Sequence, residues 1–397
     1  MDDGYAAGPP EILFPALEKF AQNVQQQCLL VWEKTKTEVF YWDGNMSEYC
    51  TPGLTRAGVV IDGSFEPGYL CYGVPIGTDK YVEHMLEEKM IDVTKSAKNS
   101  IEVLGDERQS LWTVVRLSLS QQLDYWLQLC YPSNVQAAAM KMDSIMWKTL
   151  EVTADSSIPR MQSDEHPEGV TLISIPGVPE HSYQDWVVRQ PVRLGGFGLR
   201  CQKDLSPAAF IGAAEQVLPS FVGTKGICPQ LAHLLGTMED SQQRWRLLLA
   251  SGCRTERELQ NAWEVLQSEA LTLSQYLDLD LDVPLAVPAE GIGEGRVDGS
   301  TRKLVIEQRE TLRGSALTKA LKNHPNQGLR PVRIWPQMDK LSTSWLLALP
   351  GPNNGLTSPI FSQEICANLG LSSPACSDKI GQRIGCLLYT SPSPRDS

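Results

Sequence analysis

The chain has 397 residues, 42% hydrophobic and 21% charged, which excludes a largely disordered or collagen-like polypeptide. At roughly 100–200 residues per domain, this length allows two or three domains. Asp plus Glu number 47 against 35 Lys plus Arg, so a net charge of −12 argues against a chain that grips nucleic acid over its whole surface.

No stretch approaches the roughly 18 consecutive apolar residues that span a bilayer, so no membrane partner is expected. The first 30 residues carry Asp2, Asp3, Glu11 and Glu18 and no basic n-region, so no secretory signal is expected either. The ten cysteines are scattered, without a CxxC pair or a His-x3–5-His partner. Neither a structural zinc site nor a disulfide framework is indicated, and the default is a reduced intracellular protein, cytoplasmic or nuclear.

Residues 1–80 read as mixed α/β. Pro9 and Pro10 before Glu11 suit a helix start, and Ile12, Leu13, Leu17, Phe20, Ala21 and Val24 then recur with a period near 3.6. Glu38 to Trp42 is rich in β-formers and ends at Asp43-Gly44, a tight-turn pair. Val59-Val60-Ile61 before Asp62-Gly63 repeats the pattern, and Tyr69 to Ile76 reads as a last strand between Gly68 and Gly77.

From residue 78 to about 275 the pattern is helical. Val82, Met85, Leu86, Met90 and Val93 mark one face. Leu111, Val115, Leu119, Leu123, Trp126 and Leu127 predict one long helix, stopped by Tyr131-Pro132. Val135, Ala138, Ala139, Met142, Ile145, Met146 and Leu150 predict a third. Ile158 to Pro179 interrupts the helices, and Thr255-Glu256-Arg257-Glu258 has the form of a capping box before Leu259, Ala262, Trp263 and Leu266. Leu277 to Ser300 reads as a linker of acids, prolines and glycines, and further helices are expected near 302–323 and 341–371. The tail from Cys386 onward resembles the conceptual translation of a sequencing adapter and is set aside from fold reasoning.

Adjacent carboxylates at Asp2 and Asp3 are either a solvated acidic end or a pair of oxygen donors for Mg²⁺ at the tip of a strand–turn–strand. Two such ions about 3.5–4 Å apart activate an attacking hydroxyl and neutralise a departing pyrophosphate. The segments downstream of the pair bear on the choice. Met1-Asp2-Asp3, a helix over 11–27, Lys34-Thr35-Lys36-Thr37-Glu38-Val39-Phe40, and Gly73-Val74-Pro75-Ile76-Gly77 together resemble the later half of a reverse transcriptase palm. The resemblance is to non-LTR (LINE-type) retrotransposon enzymes, and Tyr72 departs from it where leucine is usual. Pro191 to Arg200 with Ser206 to Phe210 resembles the region behind the family's thumb, and Trp345 to Pro350 with Leu369 to Leu371 a still later segment.

The resemblance implies an α+β fold: a partial polymerase palm over 1–80, a small antiparallel sheet with a covering helix, followed by mainly α-helical thumb and C-terminal regions. The segments are a thumb over 81–157, a post-thumb region over 158–275, a linker over 276–300, a mostly helical region over 301–385 and the adapter-like tail 386–397. It implies RNA-directed DNA synthesis with an RNA template and a DNA primer. Asp2 and Asp3 are then the metal-binding catalytic pair, Lys36 a cation near the leaving pyrophosphate, and Gly73, Val74, Pro75, Ile76 and Gly77 a primer-grip hairpin. In the family a third carboxylate, a nucleotide-selecting segment and basic fingers precede the aspartate pair. Met1 is thus expected to be the internal methionine of a Tyr-Met-Asp-Asp box, and this chain to be inactive by itself.

Plainer readings stand beside each of these. Lys36 is alternatively a strand-edge lysine near Glu33 or Glu38, and 73–77 an ordinary turn. Gly195, Gly196 and Gly198 lack a GKS/T or strand–GxGxxG–helix context, so a turn packed against Trp186 is expected there. Arg244-Trp245-Arg246 either contacts a template strand through Arg244 and Arg246 or is a core tryptophan flanked by solvated arginines. The five histidines lack ligand spacing, and the serines lack a GxSxG elbow. The alternative to a polymerase is a non-catalytic helical interaction or RNA-binding protein derived from such an element.

Overall fold

The computed structural model describes residues 6, 8–41, 50–159, 171–222, 254–279, 300–327, 329–338, 343–350, 355–371, 383–384 and 387–388. It is α+β, mostly helical with small sheets, and divides into two compact units, 1–89 and 90–397. The division falls inside one helix, Asp79–Leu104, nine residues beyond the boundary expected at 80.

In the first unit, helix α1 (Pro10–Cys28) starts at a proline, as its sequence requires, and ends at Leu29 in the left-handed region. It buries Phe14 and leaves Ile12 and Phe20 exposed. Strands β1 (Glu38–Val39) and β2 (Thr55–Arg56) pair in parallel. Strands β3 (Gly58–Ile61), β4 (Ser64–Cys71) and β5 (Val74–Gly77) form an antiparallel meander. Among the described residues of the expected Glu38–Trp42 strand, only Glu38 and Val39 form one, and Trp42, Asp43 and Gly44 lie outside the described residues.

The expected Asp62-Gly63 turn is present, with φ of 49° and 80° at its two residues. Tyr69 to Ile76 is not one strand but a hairpin. Tyr72 (φ 49°) and Gly73 (φ 79°) reverse the chain, the geometry of a two-residue loop matched to strand twist. Gly73 thus sits in the turn, while Val74 to Gly77 is the returning strand.

Helix α2 (Asp79–Leu104) is anchored to this meander. Thr78 caps it, its Oγ1 accepting the Tyr81 N–H at 3.3 Å and donating to buried Glu66 at 2.8 Å. The Tyr81 ring, 4% exposed, lies over the paired glycines Gly68 and Gly77. A Cβ at Gly68 would stand 2.2 Å from that ring, and one at Gly77 2.5 Å from the Pro67 carbonyl. The two glycines are required by close approach rather than by a turn.

In the second unit the expected long helix is broken. Helix α3 (Arg108–Leu117), a 3-10 turn (Leu119–Gln121) and helix α4 (Asp124–Leu129) replace it, with the break at Ser118 (φ −121°, ψ −61°). All six periodic residues are nevertheless buried. The break frees the Ser120 carbonyl, which accepts from Gln202 Nε2 at 3.0 Å, so a tertiary partner supplies what the helix gives up.

Helix α5 (Pro132–Ala154) then begins at the proline that was expected to end its predecessor. A β6–β7 hairpin (Leu172–Ile175, Val178–Ser182) leads into α6 (Tyr183–Arg189). Helices α7 (Gln202–Val222), α8 (Arg254–Tyr276), α9 (Ser300–Lys322), α10 (Arg330–Ile334) and α11 (Ser358–Asn368) come next, with a final β8–β9 pair (Arg383–Ile384, Leu387–Leu388). Residues of the expected thumb, post-thumb and C-terminal segments all contribute to this unit.

The Thr255/Glu258 pair is spent elsewhere than in a capping box. Thr255 Oγ1 meets the Tyr131 hydroxyl at 2.9 Å, and Glu258 accepts from the Ser133 hydroxyl at 2.5 Å and the Ser133 N–H at 3.4 Å. Glu258 therefore places an acid at the N-terminus of α5, where the helix dipole favours it. The 345–350 segment docks on α3, where Trp112 Nε1 donates to the Leu346 carbonyl at 3.1 Å and Arg116 to that of Leu347 at 3.3 Å.

Substituting Gly68→Ala is expected to destabilise the first unit by about 1–3 kcal/mol through overpacking against Tyr81. Gly8→Ala, whose Cβ meets nothing within 4 Å, is the control and should stay within about 0.5 kcal/mol. Urea unfolding followed by fluorescence checks both, and equal midpoints for the two variants would contradict the packing account.

Candidate functional site

Asp2 and Asp3, the expected metal pair, and Arg244 and Arg246, the expected nucleic-acid contacts, lie outside the described residues. Lys36 and Gly73–Gly77 are described, both within the first unit. Lys36 is exposed and ends a 3-10 turn (Lys34–Lys36) instead of sitting in a strand. The Thr35 hydroxyl and N–H, with a further contribution from Lys36, hold the Glu33 carboxyl below its usual range. Glu33 is thus the neighbour that the plainer reading of Lys36 names.

Backbone pairing connects this turn to the hairpin. Thr55 N–H donates to the Thr37 carbonyl, Ala57 N–H to Val39, and Gly68 N–H to Ala57, while the Phe40 and Tyr69 rings stand 5.1 Å apart. Within the hairpin Val74 and Pro75 are buried, Ile76 and Gly77 half-buried, and Gly73 and the 73%-exposed Tyr72 form an open tip. Burial, and then the charge of Glu38, push the Tyr81 hydroxyl up in pKa behind the glycine pair. Among the described residues no group of three or more His, Cys, Asp or Glu side chains is placed to hold a metal ion. The case for Mg²⁺ rests on the hard oxygen donors of Asp2 and Asp3 alone.

The second unit contains a charged lattice that sequence reading missed. Asp204 on α7 accepts from Arg313 at 2.9 Å and Arg189 at 3.3 Å, with Arg309 at 3.6 Å. Glu269 on α8 accepts from Arg309 and Arg313, each at 2.5 Å. Arg189 also grips Asp185 at 2.9 Å, and Asp185 faces His181 at 3.0 Å. On the outer side Glu310 accepts from Arg193 at 2.9 Å and Arg200 at 3.0 Å. Four helices and the 193–200 turn are thereby joined through guanidinium forks, the side chain suited to two-point carboxylate pairing.

Burial pushes the Asp204 carboxyl up, but Arg313, Arg309 and Arg189 together outweigh it and hold it well below the carboxylate range. Glu269 is held down in the same way, by Arg313 and Arg309 against burial. Asp143, on α5, differs. Burial raises its carboxyl despite hydrogen bonds from the Cys201 thiol at 2.9 Å and the Gln202 N–H at 2.7 Å. Asp143 thus takes up the first donors of α7, a place where a free helix end would attract an anion.

The lattice was partly readable. Asp143 falls on the same α5 stripe as Ala139, Met142, Met146 and Trp147, and a charge within an apolar stripe needs a buried partner. No local spacing links Asp204 to Glu269, Arg309 and Arg313. Cys130 and Cys201 offer no competing chemistry: burial drives the Cys130 thiol up to about 12 and raises Cys201 as well, so both stay protonated at neutral pH. Around Gly195, Gly196 and Gly198 a turn forms as expected, closed by the Phe197 N–H on the Val187 carbonyl and the Gly198 N–H on Gln190. Comparison with protein-family models, with curated proteins and with solved structures finds no match to this chain.

Asp204 and Glu269 both have folded-state pKa values below their unfolded ones. Their stabilisation is complete above the unfolded values near 4 and is lost only as pH falls through the folded ones. From these two groups stability is therefore expected to stay level from pH 7 to about 5 and to fall below about 4, whereas the raised carboxyl of Asp143 contributes in the opposite sense as pH falls. Asp204→Asn should cost about 3–5 kcal/mol at pH 7 by leaving three buried guanidinium groups short of one carboxylate. Asp143→Asn, which keeps an oxygen for the α7 N–H groups, should cost about 1 kcal/mol. Denaturant titrations across pH test the contrast, and equal losses for the two variants would reject it.

Proposed function

We propose that this chain is the later part of an RNA-directed DNA polymerase of the non-LTR retrotransposon type, inactive by itself. The observation that carries the reading is the order of its parts: the Asp2-Asp3 pair, a helix, the Lys-Thr-Glu-Val segment and the glycine-bracketed hairpin. Supporting it, α1, the Lys36 turn, β1 and the β4–β5 hairpin succeed one another within a single compact unit. A mainly helical region comes next, as a thumb would. In the parent enzyme the RNA template and DNA primer are the partners, and the primer end lies against the hairpin. Asp2 and Asp3 hold Mg²⁺, which when bound supplies the positive charge for nucleotidyl transfer. Lys36 stands by the departing pyrophosphate as a cation.

Asp2 and Asp3 supply two of the carboxylates such a site uses, and divalent affinity falls with ligand charge. Primer extension with this chain, Mg²⁺, an RNA template, a DNA primer and dNTPs is accordingly expected to give no product. Template-dependent product would overturn the predicted inactivity. In a longer protein carrying this chain, the double variant D2A/D3A should lower incorporation by about a thousandfold or more, the scale of removing charge stabilisation from a transition state. Synthesis retained at the wild-type rate would favour a non-catalytic RNA-binding or interaction role for the same scaffold.

A further inference from the structure

The second unit also carries an open groove of about 760 Å³, within the size range of small-molecule sites. One wall is a single face of α9, presenting Thr311, Ser315, Thr318, Lys319, Lys322 and Asn323. These residues recur at three- and four-residue intervals, and all are exposed except the half-buried Lys319. The other wall is apolar: Leu194, Leu277, Pro336 and Met338, backed by the buried Trp335. Trp335 braces the two walls, its Nε1 donating to Thr318 Oγ1 at 2.8 Å.

The charge of this groove runs against that of the chain. The whole sequence has a net charge of −12, yet the charged lining residues among those described are two lysines, one of them paired with Asp278 at the edge of the groove. Helix α9 carries six basic residues and two acidic ones. Lys319 is held in place by the Tyr276 carbonyl at 2.6 Å and by Asp278 at 2.5 Å, which fixes one ammonium at the rim. Lys322 lies one residue short of a turn beyond it, exposed.

A second feature sits at the groove's floor. Gly314 lines it, and a Cβ there would stand 3.4 Å from both Gln190 Oε1 and Leu194 Cδ1. Gln190 is 2% exposed, and its Oε1 has no hydrogen-bond donor among the described residues. Buried amide oxygens are ordinarily paired, so an acceptor is left beside the floor.

A purely apolar ligand would waste the row of hydroxyls and lysines, and an inorganic anion would waste the apolar wall. A nucleotide uses both, because it joins a flat apolar ring, a hydroxylated sugar and a phosphate. We propose that this groove binds a nucleotide unit, its phosphate at Lys319 and Lys322, its sugar along Thr311, Ser315 and Asn323, and its base against the Trp335–Met338 wall. The same chemistry is offered by a free nucleotide and by a residue within a single strand. The assignment does not rest on the polymerase reading, since every lining residue belongs to the second unit and none is a residue proposed for nucleotidyl transfer.

The test is a binding titration of the full chain with fluorescein-labelled oligouridylate of five residues, with UMP, and with a glutamate peptide of the same charge as the oligonucleotide. Saturable binding of the oligonucleotide or of UMP is expected. Equal affinity per nucleotide for the two assigns a free nucleotide, and binding of the oligonucleotide alone assigns a strand. Lys322→Glu and Ser315→Asp should each weaken binding by about tenfold or more, and Lys322→Glu should lower the salt dependence by about one counterion. Lys303→Glu, on the same helix and outside the groove, should change affinity less than about twofold. An unchanged urea midpoint shows that the variants fold. Wild-type affinity in both groove variants, or equally tight binding of the glutamate peptide, would overturn the assignment. D2A/D3A should leave this binding intact, which separates its failure from that of the polymerase reading.

Discussion

The second unit depends on the pairing of Asp204 and Glu269 with Arg309 and Arg313. Two carboxylates from different helices share two guanidinium groups that lie four residues apart on α9, so α7, α8 and α9 are held in one register. Taking such groups out of water is costly, and the cost is offset only where each charge keeps several partners. Here each carboxylate meets at least two arginines, and Arg189 extends the lattice to Asp185 on α6. The arrangement specifies a geometry more than it adds stability. An apolar core would tolerate helices sliding past one another, whereas displaced guanidinium forks would leave charges buried and unpaired.

The first unit is organised by a smaller constraint. Two glycines face each other across β4 and β5, and an aromatic ring from the first turn of α2 fills the space their missing side chains leave. Thr78 fixes the start of α2 at that spot by capping it and by bonding to Glu66 in the sheet. The base of the hairpin is thus tied to α2, while Tyr72 and Gly73 at its tip are exposed.

The net charge of the chain weighs against nucleic acid as a partner. Its distribution changes the weight of that argument, because charge acts locally once separations exceed the Debye length of about 8–10 Å. Acids are gathered into pairs with arginines inside the second unit, and α9 turns two of its lysines toward a groove free of acids among its described lining residues. Net charge therefore describes solubility and long-range repulsion, and says little about any one surface.

Apolar periodicity and backbone chemistry were readable from the residues by themselves. The stripes of α2 and α5, the proline at the start of α1 and the Asp62-Gly63 reversal all appear where the sequence places them. Those signals depend on neighbours three or four residues apart, or on a single residue's allowed φ. Tertiary structure decided the rest. It broke the helix at Ser118 and satisfied the freed carbonyl from Gln202, and it diverted Glu258 from its own helix to that of Ser133. It also folded Tyr69 to Ile76 into a hairpin and drew Asp204 to arginines more than a hundred residues away. Apart from the hairpin, whose reversal is local at Tyr72-Gly73, the competing partner lies far along the chain, and a side chain's choice between a local and a distant hydrogen bond is settled only when packing has excluded water from one of them.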